Sequence, residues 1–295
     1  MDRSRLPGFA SRPPVVNGIF YPEKREVLIR QLESWGLKEG AFSLNTSRWS
    51  GGMVEKRQAI LAPHGAWELT GKLAGCAFAA LQEDPALAID RVLLLGTTHN
   101  SAEEGIYLSE SAFFETPLGD LWVDEKINRE LAFCSSQIKI YDIPHLSEHA
   151  LEVLLPMVKY CFPSAKIVPV LMSGKKPDLI SGLARALGIV LEKYSEKSLF
   201  VVSSNVSCSH DPALAHDMAL EFCGHIEDMD TRNFLSCLEA GRISACGGAL
   251  VASLLESGLF CSRPFSALCP LAQAAGENGN TFFYGAFSTR RTELN

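Results

Sequence analysis

Three apolar runs in this chain end in groups that bind metals or carry protons. Residues 57–62 lead into Pro63-His64-Gly65, residues 91–96 into Thr97-Thr98-His99, and residues 199–202 into Ser203-Ser204-Asn205, with Cys208 and His210 close behind. A neutral imidazole offers a lone pair to a metal or moves a proton near neutral pH, and a thiolate is a soft metal ligand. One histidine after a strand is ordinarily a loop residue making a single hydrogen bond. The same pattern repeated in one chain asks for a common cause. In an open α/β sheet the carboxyl ends of parallel strands converge on one edge, which is where ligands bind. His64, His99 and the 205–210 segment are therefore the candidate site.

Such groups need buried strands flanked by helices to hold them, and the rest of the chain alternates accordingly. Residues 23–35 carry Val27, Leu28, Leu32 and Trp35 at helical spacing, and residues 72–81 form a small-residue, apolar helix that follows the His64 turn. The Pro117 and Gly119-Asp120 signals predict an antiparallel excursion over residues 113–124, with Asp124 capping the next helix. Ser147 is expected to cap a helix that opens with Glu148-His149 and Glu152. Residues 166–172 read as a strand whose Pro169 argues for an edge or a bulge. A helix over 178–194, a strand over 199–204, helices near 212–228, 230–239 and 246–257, and a closing strand over 282–288 complete the pattern. The expectation is a loose tail over residues 1–13 and one three-layer α/β/α domain over 14–290 with a mostly parallel central sheet. Residues 37–56 read as a surface loop.

Composition narrows the function classes. The 295 residues are 47% hydrophobic and 21% charged, enough for a large core. A net charge of -7 without a Lys/Arg-rich run argues against a nucleic-acid surface. No apolar stretch reaches membrane-spanning length without a charge or proline. The N-terminus has positive charge with no apolar core behind it, and is not read as a signal peptide. The nine cysteines include no Cys-x-x-Cys pair, which excludes a zinc ribbon or thioredoxin motif and points to buried thiols in a reducing compartment, the cytoplasm.

Short motifs along most of the chain resemble the Memo family, known in prokaryotes as AmmeMemoRadiSam system protein B. They are Gly18-Ile19-Phe20-Tyr21-Pro22, Ala62-Pro63-His64-Gly65-Ala66-Trp67, Leu95-Gly96-Thr97-Thr98-His99 and Thr116-Pro117-Leu118-Gly119-Asp120. Glu148-His149-Ala150-Leu151-Glu152, Ile167-Val168-Pro169-Val170, Val202-Ser203-Ser204-Asn205 and Ala245-Cys246-Gly247 follow in the family's order. The resemblance implies a fold similar to class III extradiol dioxygenases. It also implies that His64, His99 and Cys246 form a metal-capable pocket, Cys246 standing where the dioxygenases place a carboxylate. Two departures stand out: Asn205 replaces the usual aspartate, and Cys208 replaces the histidine at the general-base position. His210 lies two residues further on.

Two imidazoles and a thiolate are a softer set than the two-histidine, one-carboxylate triad of iron oxygenases, and suit copper, zinc or iron. Loss of the histidine at 208 removes a proton carrier worth about a hundred- to ten-thousand-fold in rate. Ring cleavage is accordingly not expected. Either Cys208 takes a redox or ligand role, up to a closed His2Cys2 site, or the ancestral chemistry is simply gone and Cys208 is an inert core thiol. Glu148 and Glu152 are either carboxylates at a helix's positive end or supports for a pocket histidine, with His149 beside them. Phe20, Tyr21 and Trp67 are an aromatic wall of the pocket or ordinary core. His145, His216 and His225 are expected at the surface. Two functions remain: metal-dependent redox chemistry, or a non-catalytic module whose pocket takes a peptide or small ligand. The resemblance also implies a radical S-adenosylmethionine protein and a third component as partners.

Overall fold

The structure is a computed structural model describing residues 11–40, 58–81, 89–101, 103–194, 197–260, 263–276 and 278–289. Its strands and helices in chain order are β1 (Ser11–Arg12), α1 (Arg25–Ser34), β2 (Gln58–Ala62), α2 (Lys72–Leu81), β3 (Arg91–Thr97), β4 (Gly105–Leu108), β5 (Phe113–Phe114) and β6 (Leu121–Trp122). There follow α3 (Glu125–Cys134), β7 (Ile138–Ile140), α4 (Ile143–Leu146), α5 (Leu155–Cys161), β8 (Lys166–Ser173), α6 (Pro177–Leu191), β9 (Ser198–Ser203) and β10 (Ser207–Ser209). The last are α7 (Pro212–Glu227), α8 (Thr231–Glu239), α9 (Gly248–Glu256), β11 (Phe265–Ala267), β12 (Ala272–Ala275), β13 (Thr281–Tyr284) and β14 (Phe287–Thr289).

Side-chain alternation builds three layers. Along β3, Leu93 and Leu95 enter one core while Val92 and Leu94 enter the other, and along β9 Phe200 and Val202 oppose Leu199 and Val201. Strands buried on both faces must be covered by helices on both sides. Residues of α3, α6, α7, α8 and α9 line the first core, and those of α1, α2 and α5 the second. Each fully buried Leu or Phe contributes about 1.5–3 kcal/mol. The central sheet runs β11-β14-β2-β9-β3-β8-β4-β7. β2, β9, β3 and β8 pair in parallel, so the expected mostly parallel α/β/α architecture is present.

Several local expectations are corrected. Within the expected tail, Ser11 and Arg12 pair with β5, and Arg12 is only 1% exposed; residues 1–10 lie outside the described residues. Most of the expected 37–56 loop also lies outside them. The closing strand splits: β14 runs antiparallel to β2, whereas β13 joins β10 and β12 in a separate sheet. Pro169 sits inside the sheet, opposite Leu94 of β3. Its tolerance has a local cause. Ile167 and Pro169 present their backbone to the same side of β8, where Asp124 N–H donates to the Ile167 carbonyl. Pairing with β4 ends one residue later, at Leu108 and Val170. The missing N–H of Pro169 thus falls in a gap of the ladder. The excursion over β5 and β6 is antiparallel, and Asp124 caps α3 by accepting from Ile127 N–H, both as expected.

Candidate metal centre

β2, β9 and β3 are neighbours and parallel, so their carboxyl ends release His64, Asn205 and His99 at one edge. Two glycines let further chain close over that edge. A Cβ on Gly96 would meet Leu151 Cδ2 at 2.6 Å, so glycine lets the Leu151 side chain pack directly on β3 where the 148–151 turn crosses it. A Cβ on Gly247 would meet Ser204 Cβ at 2.7 Å, so only glycine lets the segment bearing Cys246 approach β9. Beyond His64 the chain enters α2 through a π-helix, Trp67–Gly71, a variant frequent at functional sites.

His64, His99 and His149 present ring nitrogens that all lie within 4.8 Å of one another. The His99 and His149 rings stack at 4.7 Å, and His64 meets both edge-on. His64 is buried, His149 partly buried and the His99 side chain 34% exposed, so the cluster opens to solvent on one side. Cys246 closes the buried side, its Sγ 3.5 Å from His64 Nε2. Of the expected trio, His64 meets His99 and Cys246 Sγ reaches His64, but the ring nitrogens within one ion's reach are those of His64, His99 and His149, so His149 stands in the place expected of Cys246 and the sulfur lies at the margin.

The protons in this cluster are directed by its surroundings. Ser203 donates its hydroxyl hydrogen to the Ala150 carbonyl at 2.5 Å, so its oxygen accepts from His64 Nδ1–H at 2.9 Å. That leaves His64 Nε2 facing the pocket. Glu148, buried, accepts from His99 N–H at 2.5 Å, from His99 Nδ1–H at 2.8 Å and from Ala150 N–H at 2.9 Å. The same carboxylate oxygen lies 3.3 Å from His149 Nδ1. One carboxylate thus stands beside Nδ1 of two rings, the place carboxylates take behind metal-bound histidines. These residues fit a transition metal: three imidazoles within one ion's reach, two of them oriented from behind, and a thiol at the margin.

Without a metal the cluster separates its charges. Burial opposes the charge on His99, but its bonds to Cys246 and Glu148 outweigh that and raise it to about 10. Burial would raise Glu148, yet hydrogen bonds from His99 and Ala150 hold it at about 2. Burial, with the His99 and His64 rings beside it, takes His149 down to about 4 despite Glu148. Burial would likewise raise the Cys246 thiol, but the His64 and His99 rings draw it well below its ordinary value. An imidazolium, a neutral imidazole and a thiolate-prone sulfur are a set from which acid and base roles are assigned.

The remaining expectations divide. Glu148 and His149 lie in an irregular turn between α4 and α5 rather than opening a helix, because the Glu148 side chain takes backbone N–H groups that a helix start would use otherwise. Asn205 holds Cys246 in place: its Oδ1 accepts from Cys246 N–H at 2.7 Å and its own N–H donates to Cys246 Sγ at 3.3 Å. Cys208, on β10, is partly buried, a free thiol like Cys246, and close enough that Cys246, after burial itself, raises its thiol. His210 is exposed and takes no part in the hydrogen-bonded cluster. Phe20 stands edge-on to His149 at 5.1 Å and walls the pocket. Tyr21 and Trp67 are core: Tyr21 donates to Glu152 at 2.9 Å and Trp67 to the Val153 carbonyl at 2.9 Å. His145, expected at the surface, is 1% exposed. A cavity of about 210 Å³ reaches Cys246 between Thr97, Met172, Lys175, Ala245 and Leu250.

A family model described as Memo-like protein matches residues 12–263. The chain belongs to the Memo-like family. A MEMO1 family protein of Saccharolobus solfataricus is 28% identical over 254 residues, covering 83% of this chain and 86% of that one. Another from Sulfurisphaera tokodaii is 29% identical over 266 residues, covering 86% and 90%. A crystal structure of an uncharacterized Escherichia coli K12 protein superposes with a TM-score of 0.47 at 12% identity, over 79% of this chain and 99% of that one. Among the described residues no helix of this Memo-like protein is long and apolar enough to cross a membrane.

Proposed function

We propose that the chain binds one transition metal, iron, copper or zinc, at His64, His99 and His149, with Cys246 as an adjacent thiolate, and supports redox chemistry on a small molecule. The observation that carries this reading is Glu148, whose single carboxylate faces Nδ1 of both His99 and His149 beside a cluster of three ring nitrogens within 4.8 Å of one another. A bound metal would supply Lewis acidity and, for iron or copper, an accessible redox couple. The chain's own groups do the rest. Ser203 and Glu148 set ring orientation, Asn205 fixes the sulfur, and the cavity beside Cys246 admits the ligand. Radical S-adenosylmethionine and third-component partners remain part of this proposal through the family resemblance.

The test is elemental analysis of protein purified without a metal-affinity tag, followed by anaerobic reduction and reoxidation of the loaded form. About one iron or copper per chain, lost in His64→Ala and cycling between oxidation states, supports the reading, and zinc in its place would keep the metal site but end the redox part. Metal-free protein that refuses added iron, copper and zinc ends it. The cavity favours a second reading, a binding module without redox chemistry. Ligand binding that survives both His64→Ala and His99→Ala would select it.

A further inference from the structure

A second group of metal-capable side chains lies on the helical layer, sharing no residue with the first: Glu221 and His225 on α7, and Cys237 on α8. Glu221 and His225 are four residues apart and so share one helix face. Cys237 Sγ lies 3.2 Å from Glu221 Oε1 and 3.3 Å from His225 Nε2, and those two atoms are 4.0 Å apart. Donor pairs around a tetrahedral zinc ion with bonds of about 2.0–2.3 Å are about 3.3–3.8 Å apart. The three atoms already approximate one face of such a tetrahedron.

Two independent features point the same way. The other ring nitrogen, His225 Nδ1, faces Asp230 Oδ2 at 3.8 Å, so the carboxylate lies behind the ring and Nε2 turns toward the sulfur. Asp230 is itself fixed as the cap of α8, accepting from Asn233. Met229, the residue before it, adopts φ 56°, a left-handed conformation that bulky residues rarely take, and this turn folds α8 back against α7. The second feature is a cation among the donors. Arg242 donates to Cys237 Sγ at 2.9 Å and to Glu221 Oε1 at 2.9 Å, bridging the two groups a metal would bridge. Its side chain is 58% exposed and has open solvent to move into, whereas Cys237 is buried.

We propose that Glu221, His225 and Cys237 form a second transition-metal site, of zinc type, in which Arg242 is the competing cation that a metal displaces. The donor set, one thiolate, one imidazole and one carboxylate, suits zinc or another borderline divalent ion, with a water or an outside ligand in the fourth position. Binding transfers the Cys237 proton to solvent and frees Arg242 to extend.

The experiment is a Co²⁺ titration of the full chain carrying His64→Ala, His99→Ala and Cys246→Ser, followed by thiolate-to-cobalt charge-transfer absorption. The expected result is one Co²⁺ per chain, displaced by Zn²⁺, with the band lost on adding Cys237→Ser. Adding His225→Gln should weaken binding about tenfold or more. Adding Arg242→Ala should tighten it about tenfold, the equivalent of one lost charge-assisted hydrogen bond. No thiolate band, a band that survives Cys237→Ser, or unchanged affinity in Arg242→Ala overturns the proposal. If the background variant does not fold, alkylation of Cys237 in the wild-type chain, mapped by mass spectrometry, decides. Zinc should slow that labelling at least tenfold, and equal rates with and without zinc would overturn the site.

Discussion

Arg12 and Glu152, separated by 140 positions, form an ion pair whose side chains are 1% and 0% exposed. Arg12 also donates to the carbonyls of His145, at 3.0 Å, and Glu148, at 2.7 Å. Glu152 additionally accepts from Val15, Val16 and Tyr21, each at 2.9 Å. The N-terminal segment is thus tied to the turn that carries Glu148 and His149. Removing one partner of a buried pair costs about 3–5 kcal/mol. Arg12→Ala should lower stability in urea by about that amount and weaken metal binding with it. A variant as stable as the wild type would show that the pair does not hold the turn.

Glu148→Gln tests the orienting carboxylate. Glutamine keeps the shape but offers only one acceptor oxygen to His99 and Ala150, and no charge. Metal affinity should fall about 10- to 100-fold, the usual effect of removing an outer partner. The circular dichroism spectrum should stay unchanged. Equal affinity in wild type and variant would remove Glu148 from the account of the centre.

Thiol chemistry should separate Cys246 from Cys208. The His64 and His99 rings lower the first, while burial and then Cys246 raise the second. At neutral pH iodoacetamide should label Cys246 faster than Cys208, and bound metal should slow the Cys246 reaction. Cys208→Ser should leave the Cys246 rate nearly unchanged. Faster labelling of Cys208 would reverse the assignment of the thiolate.

Simple catechols with ferrous iron should give no ring-cleaving oxygen consumption. Asn205 is engaged in holding Cys246, and Cys208 offers a raised thiol where a proton carrier would stand. Oxygen uptake that depends on His64 would defeat this expectation.

Acid should destabilise the fold through His145. Its Nε2–H donates to the Tyr107 carbonyl at 3.2 Å, while its buried Nδ1 has no partner to accept an added proton. Burial pulls the ring from 6.5 down to about 4, against the attraction of Asp142. A group whose folded value is depressed binds its proton more readily unfolded. Its contribution is therefore full above about pH 6.5 and is lost as pH falls toward about 4, with a slope of up to about 1.4 kcal/mol per pH unit. Urea denaturation across that window should show the slope, and His145→Asn should flatten it. An equal slope in the variant would place the proton uptake elsewhere.

The apolar runs before His64, His99 and Asn205 determined by themselves that these residues lie at strand ends, and hence at one edge. A run buried on both faces can only be an inner strand of a covered sheet. Period and composition also sufficed for α2, α3 and α6, and for the cap at Asp124. His149 could not be placed that way. It reaches the cluster from a turn whose path depends on Gly96 admitting Leu151 across β3 and on Arg12 holding the Glu148 carbonyl, contacts between segments far apart in sequence. Pro169 misled for the same reason, since whether a strand position needs its N–H depends on where the neighbouring strand stops. Phe20, Tyr21 and Trp67 are alike as residue types, and only the packing made one a pocket wall and two core. Sequence pattern reports which face a residue presents, because that face is set by local backbone period. Which groups then meet is decided by long-range packing, which no local period encodes.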